Sequence, residues 1–333
     1  MTANAKIERR DLIFFGTVEA SSRHEGYIWG GTRLSKEYDL PAVGDRQAEA
    51  WLLSCHPDGE NIIENGAFAG RTLSDVLNRE GNAYLGTHCD ASGDFPVLFK
   101  LIDAKDNLSV QVHPDDAYAL KNEHQFGKTE AWYILDCDDG AELLLGFAQD
   151  VTKEAFCAAI KENRLTDLVN HVKVKPGELY FIPSGTLHAI CKGILLAEIQ
   201  QNSNVTYRIY DYGRLQNGKP RDLHIDRALD VTNRAATTPD GTPAGAPQQK
   251  DGFTETLLTT CERFTMKRLD VETEAALTVG PESFVSLVAI DGNGVLIHGD
   301  NVLTLYKGES IFLPANLGEV QVLGKVSVLA TSV

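Results

Sequence analysis

The stretch Lys175-Pro-Gly-Glu-Leu-Tyr-Phe-Ile-Pro-Ser-Gly-Thr-Leu-His-Ala-Ile-Cys-Lys-Gly-Ile-Leu-Leu-Ala-Glu-Ile-Gln-Gln201 holds two apolar, strand-like runs around a turn. The turn delivers one histidine, His188. Pro183 and Gly185 constrain the backbone there, because proline presets φ and glycine accepts left-handed conformations. Two earlier stretches share this patterning. Leu108-Ser-Val-Gln-Val-His-Pro-Asp-Asp116 alternates with period two, which places Ser109, Gln111 and His113 on one face of a strand. Pro114 ends that strand and suits the first turn of a helix over 115–122. Gly127-Lys-Thr-Glu-Ala-Trp-Tyr-Ile-Leu135 alternates again, with Glu130, Trp132 and Ile134 on one face.

The remaining chain reads mainly as β. Strand-like runs occupy 11–15, 28–34, 50–54 and 95–102, and strands return over 172–182 and 193–210. Lys100 stands alone among the apolar residues of 95–102, and an unpaired buried ammonium is expensive. It therefore faces a polar cavity or reaches solvent. Cys55-His56-Pro57-Asp58-Gly59 reads as a surface turn that exposes His56. Short helical insertions are predicted over 72–78 and 151–170, with an amphipathic segment over 223–233. Residues 237–252 are rich in Pro and Gly without apolar periodicity, as in a linker or long loop. The expected division is a catalytic domain over 1–236, this linker, and a β domain over 253–333.

The last part of the chain echoes the opening stretch. Tyr306-Lys-Gly-Glu-Ser-Ile-Phe-Leu-Pro314 followed by Lys325-Val-Ser-Val-Leu-Ala330 parallels 175–183 followed by 193–197. Aligned on the prolines, Ser184-Gly185 falls opposite Ala315-Asn316, and His188 opposite Glu319. Two β-barrels of related design are expected, the second without the histidine.

The bulk numbers exclude several roles. The 333 residues carry 47 acidic against 31 basic side chains, a net charge of −16. Nucleic-acid and acidic-membrane partners both need a basic face, so neither is expected. An anionic substrate would need its own local cluster of Lys and Arg. No run of about 18 apolar residues is long enough for a membrane helix. The N-terminus has no small-residue cleavage site. Six scattered cysteines without a CxxC pair fit reduced thiols in a cytoplasm. The sequence leaves monomer and homodimer open.

The spacing Gly177, Pro183, Gly185, His188 resembles the second motif of the cupin superfamily. In the first cupin motif two histidines stand two residues apart with a glutamate close behind. Here Gln111 replaces the first histidine, and Glu130 arrives after an inserted helix. The resemblance implies a mainly β, cupin (jelly-roll) β-barrel catalytic domain with short helical insertions and a second, metal-free cupin-like β domain. It also implies a metal held by Gln111, His113, Glu130 and His188. Two imidazoles and two oxygens suit one Zn²⁺ per chain. Mn²⁺ and Fe²⁺ fit the same ligand types.

Longer matches narrow the family. Residues 95–116, 127–133 and 182–188, together with Ala197-Glu-Ile-Gln-Gln-Asn-Ser-Asn-Val-Thr-Tyr-Arg-Ile-Tyr-Asp-Tyr-Gly-Arg214, are similar to type I phosphomannose isomerases of the short bacterial kind. The resemblance spans about residues 10–230 and continues more loosely to the C-terminus. It implies an enzyme that interconverts mannose 6-phosphate and fructose 6-phosphate, a reaction that passes through an enediol. That chemistry needs a base near C1 and C2, a stabiliser of oxyanion charge and a phosphate anchor. Glu198 resembles the family's candidate base and Arg208 its arginine, while Lys128 is an acid–base candidate beside Glu130. Ser109, Lys100 and Arg214 are candidates for substrate binding at the phosphate end. A different metal-dependent cupin enzyme, such as a dioxygenase, and a non-catalytic sugar-binding module are the competing readings.

Overall fold

The computed structural model describes residues 13–16, 27–41, 46–80, 82–89 and 94–333. The chain divides into two compact units. One contains Val97–Ala244 and the described residues between Val18 and Gly59. The other contains the strand Ile13–Gly16, Glu60–Pro96 and Gly245–Val333. This differs from a purely sequential division. Ile13–Gly16 pairs antiparallel with Ser310–Leu313 and with Ile62–Ile63, so an early segment is hydrogen-bonded into the late one. The expected linker is held at both ends. Leu179 N donates to Gly241 O at 2.9 Å, and Gly245 N donates to Leu257 O at 2.9 Å.

The first unit is a jelly roll of two five-stranded antiparallel sheets. Its strands are β1 (Glu49–Leu53), β2 (Val97–Ala104), β3 (Val110–Val112), β4 (Glu130–Cys137), β5 (Glu142–Phe147), β6 (Val169–Lys173), β7 (Leu179–Ile182), β8 (His188–Ile190), β9 (Ile194–Gln201) and β10 (Tyr207–Tyr210). One sheet runs β7-β4-β9-β2-β1, and the other runs β6-β5-β8-β3-β10. Strands β2 and β9 are buried along their whole length, as continuous apolar runs require. Trp132, Ile134, Leu143, Leu145, Ile182 and Ile190 belong to the core between the sheets. The helix Asp116–Asn122 begins as expected, with the Asp115 side chain accepting from Tyr118 N at 2.8 Å.

Three local expectations are corrected. The helix expected over 151–170 ends at Lys161. Asn163 takes a left-handed φ of 54°, a 3₁₀ turn covers Leu165–Leu168, and Val169 already begins β6. Residues 28–34 do not form a strand. After isolated bridges at Gly30 and Gly31 the chain enters the helix Arg33–Glu37, held by Arg33 N donating to Asp103 Oδ2 at 2.8 Å. His56 is not a surface residue. Its turn exists, but the residue is 4% exposed and its ring stands edge-on to Trp51 with centroids 5.9 Å apart.

The second unit is built on a ten-stranded sheet. Two of its strands are long: Val285–His298, with a bulge between Ala289 and Asp291, and Gly318–Ser332. These two strands and the partner strand Ser310–Leu313 share an apolar core that includes Leu287, Leu296, Ile311, Leu313, Val320 and Val322. The sequence echo is real at the level of register. Gly185 N donates to His113 O, just before Pro114, and Asn316 N donates to Gly280 O, just before Pro281. Gly185 has φ +84° and Asn316 φ +59°, so both hairpins turn through a left-handed residue. Gln111 pairs with His188, as Thr278 pairs with Glu319. Ile182 pairs with Glu130, as Leu313 pairs with Val285. Gln111, His113, Glu130 and His188 thus correspond to Thr278, Gly280, Val285 and Glu319. Two of those four have no side-chain donor atom.

A Cβ on Gly185 would sit 2.9 Å from Val231 O at a left-handed φ. Gly185→Ala is therefore expected to cost about 1–3 kcal/mol. Asn316→Gly is expected to change stability by less than about 0.5 kcal/mol, since asparagine already tolerates that conformation. Thermal denaturation of the two variants checks both values.

Candidate metal centre and substrate cavity

Cross-strand neighbours point to the same face of a sheet, so register alone assembles this site. In one sheet Arg208 (β10) pairs with Gln111 (β3), which pairs with His188 (β8). In the other, Trp132 (β4) pairs with Glu198 (β9), Glu198 with Lys100 (β2) and Lys100 with Trp51 (β1). The two rows face each other. The Trp132 and His188 rings meet edge to face with centroids 5.3 Å apart.

Glu130 sits at the start of β4 and is fully buried. His188 Nε2 lies 3.3 Å from its Oε1, and His113 Nε2 lies 3.7 Å from its Oε2. Each imidazole is oriented through its other nitrogen. His113 Nδ1 contacts Val205 O and His188 Nδ1 contacts Thr186 O, both at 2.8 Å. With Nδ1–H donated to a carbonyl, Nε2 turns its lone pair toward Glu130, the tautomer a metal ligand needs. Burial pushes His188 down to about 4 and holds His113 well below its ordinary value, so both rings are neutral. Burial pushes Glu130 up to about 7, against the opposing pull of Lys128.

Three atoms of this cluster have no hydrogen-bond partner: His113 Nε2 and both carboxylate oxygens of Glu130. Lys128 Nζ is 3.1 Å from Glu130 Oε2 but does not meet hydrogen-bond geometry there. Buried polar atoms of native proteins are nearly always paired. Three acceptors converging without a donor are what a bound cation would satisfy, and one ligand atom from each of His113, Glu130 and His188 lies within 4.8 Å of the others. Gln111 completes the ring, with its Nε2 3.4 Å from His188 Nε2 and its Oε1 accepting from Ser109 Oγ at 3.4 Å. Rotating the amide by 180° brings the oxygen inward, an exchange that leaves the side chain's shape unchanged. The donor set fits a divalent metal.

Beside the cluster lies a cavity of ≈ 670 Å³, within the usual size range of small-molecule sites. Lys100, Lys128, Arg208, Lys219 and Arg221 line it against Glu49, Glu198 and Asp222. The local positive excess that a chain of charge −16 needs for an anionic ligand is therefore present. Lys100 is buried between Glu198 Oε1 at 3.2 Å and Glu49 Oε2 at 3.5 Å, which resolves its place in favour of the cavity. Burial alone would raise Glu198, but Lys100 and Lys128 hold it below its ordinary value. Ser109 ties Arg208 to Gln111 within one row, accepting from Arg208 Nε at 3.3 Å and donating to Gln111 Oε1.

Arg214 does not line the cavity. Its guanidinium is bound by Asp211 Oδ1 at 2.5 Å and by the Asn107 carbonyl. Arg221 takes the cavity position instead, gripped by Asp211 Oδ2 at 2.8 Å. These two arginines flank a hairpin, Leu215–Gln216 paired with Lys219–Pro220, whose turn residues Asn217 and Gly218 both have positive φ. Asn-Gly is the strongest short hairpin signal, and it could have flagged this element in advance. Glu49 carried the same signal as Lys100, a lone charge in an apolar strand.

The comparisons agree with this geometry. Residues 18–148 match the model for "Phosphomannose isomerase type I, catalytic domain", and residues 254–333 match "Mannose-6-phosphate isomerase, cupin domain". Mannose-6-phosphate isomerase ManA of Bacillus subtilis is 38% identical over 300 residues, 89% of this chain and 92% of that protein. The chain belongs to the type I phosphomannose isomerase family, whose members are aldose–ketose isomerases. A mannose-6-phosphate isomerase of Streptococcus mutans is 37% identical over 91% of this chain and 94% of its own. The crystal structure of the mannose 6-phosphate isomerase from Bacillus subtilis superposes with a TM-score of 0.89 at 35% identity, covering 97% of this chain and all of that one. The family's cupin architecture is thus present, and among the described residues no helix is long and apolar enough to cross a membrane.

Since Glu130 must lose its proton to bind a cation, metal affinity is expected to fall about tenfold per pH unit below pH ~7 and to level off above it. The neutral histidines add no further loss until the pH nears 4. Calorimetric titration of chelated protein with a divalent metal across this range checks the slope, and a flat profile would contradict it.

Proposed function

We propose that this enzyme interconverts mannose 6-phosphate and fructose 6-phosphate through an enediol, with one Zn²⁺ per chain held by Gln111, His113, Glu130 and His188. The observation that carries the reading is the set of three unpaired buried acceptors opening beside a cation-lined cavity. When bound, Zn²⁺ supplies a Lewis acid for the oxygens on C1 and C2. Six cysteines, none of them in a disulfide, support a reducing, cytoplasmic setting.

The chain's own groups divide the work. Glu198 takes the proton from C2 of the open-chain aldose and returns it to C1. The C2–H electron pair becomes the C1–C2 double bond of the enediol as the C1 carbonyl becomes a hydroxyl. Glu198 is suited to this because Lys100 and Lys128 keep it ionised in a buried site. Lys128 Nζ, 3.1 Å from Glu130 and 4.0 Å from Glu198, passes the hydroxyl proton between O2 and O1. Arg208, the cross-strand neighbour of Gln111, stabilises negative charge on those oxygens. Ser109 and Lys100 contact the sugar. Burial and the nearby charge of Arg221 both lower Arg208, so the two guanidinium groups favour an anion between them. The phosphate is assigned to Arg221 and Lys219 rather than to Arg214.

In a coupled assay from mannose 6-phosphate to fructose 6-phosphate, chelation should abolish turnover and zinc should restore it. Full activity in metal-free protein would end this reading. His188→Ala should bind no metal. Arg208→Ala should retain metal and lose about 10²-fold in kcat. Arg221→Met should raise KM for the sugar phosphate at least about tenfold while kcat changes little, the pattern of lost binding energy shared by ground and transition states.

A further inference from the structure

Trp132 occupies an unusual place in the site. It is 1% exposed and is not among the residues that line the cavity. Its indole N–H nevertheless donates to Glu198 Oε2 at 2.9 Å. The other oxygen, Oε1, has ammonium groups at 3.2 and 4.0 Å but no hydrogen bond. The edge of the same indole packs against His188. Trp132 therefore holds one carboxylate oxygen back and leaves the other to the two cavity-lining ammonium groups. It also spaces that carboxylate from the imidazole.

We infer that Trp132 is a positioning residue for the isomerisation, selecting Oε1 of Glu198 as the proton-carrying oxygen and fixing its distance from His188. The inference rests on Glu198 being the base. A carboxylate with only its two lysine contacts can rotate about its last side-chain bond, because ammonium groups attract either oxygen and carry little directional preference. An indole N–H is a single donor in a rigid frame, and here that frame is wedged between sheet neighbours Tyr180 and Glu198. The bland alternative is that Glu198 merely satisfies a buried indole N–H. The two readings differ in what they predict for turnover.

The test removes the N–H and keeps the ring. Trp132→Phe, and site-specific replacement of Trp132 by 3-benzothienyl-alanine, which swaps the N–H for sulfur at nearly constant shape, are assayed as zinc-loaded enzyme. The expected result is a fall in kcat of tenfold or more in both, with KM for mannose 6-phosphate and zinc content unchanged. If the sulfur isostere, folded and metal-loaded, keeps wild-type kcat, Trp132 is structural only and the inference fails. Glu198→Gln is run beside them. If it retains turnover, the assignment of the base itself falls. If it is inactive while the isostere is fully active, only the role of Trp132 is overturned.

Discussion

A buried carboxylate with no hydrogen bond is the constraint around which this chain is arranged. Glu130 is wholly enclosed, and neither of its oxygens has a donor. Ionised in so dry a site, such a group costs several kcal/mol. The surroundings supply partial compensation in the form of Lys128, and two neutral imidazoles that can share a cation but cannot themselves neutralise the charge. The site is consequently built for a metal. Its protein ligands bring one formal negative charge, so a bound dication keeps net positive charge available for substrate oxygens.

Register turns this constraint into a site. A strand shifted by one residue would send its whole set of side chains to the other face. The pairings Gln111 with His188 and Glu198 with Lys100 and Trp132 therefore decide which groups meet. The second unit shows the same scaffold without that demand. Its matching positions carry Thr278, Gly280, Val285 and Glu319, and the pair Leu287 with Ala330 stands where Trp132 pairs with Glu198. By register Ala330 is thus opposite Glu198, one residue from the match that sequence similarity alone picks. Leu287 belongs to that unit's apolar core and Ala330 packs against it, so burial there is satisfied by packing rather than by an ion.

The sequence by itself determined most of the strands and turns and offered a candidate metal-ligand set, because alternation and turn chemistry are local properties. Period-two alternation placed Gln111 and His113 on one face. The Pro183 and Gly185 turn aimed His188, and a second alternating run put Glu130 on the same face as Trp132 and Ile134. Charge bookkeeping required a cationic cavity without saying which cations make it. Only the tertiary structure decided those. Arg214 and Arg221 are seven residues apart and both held by Asp211, yet the Asn107 carbonyl also takes Arg214 while Arg221 lines the cavity. The bond from Trp132 to Glu198 joins strands 66 residues apart. His56 looked like a turn residue and was buried by Trp51. In each case the outcome depends on where a distant strand returns, and that is set by sheet register and packing rather than by any pattern within one segment.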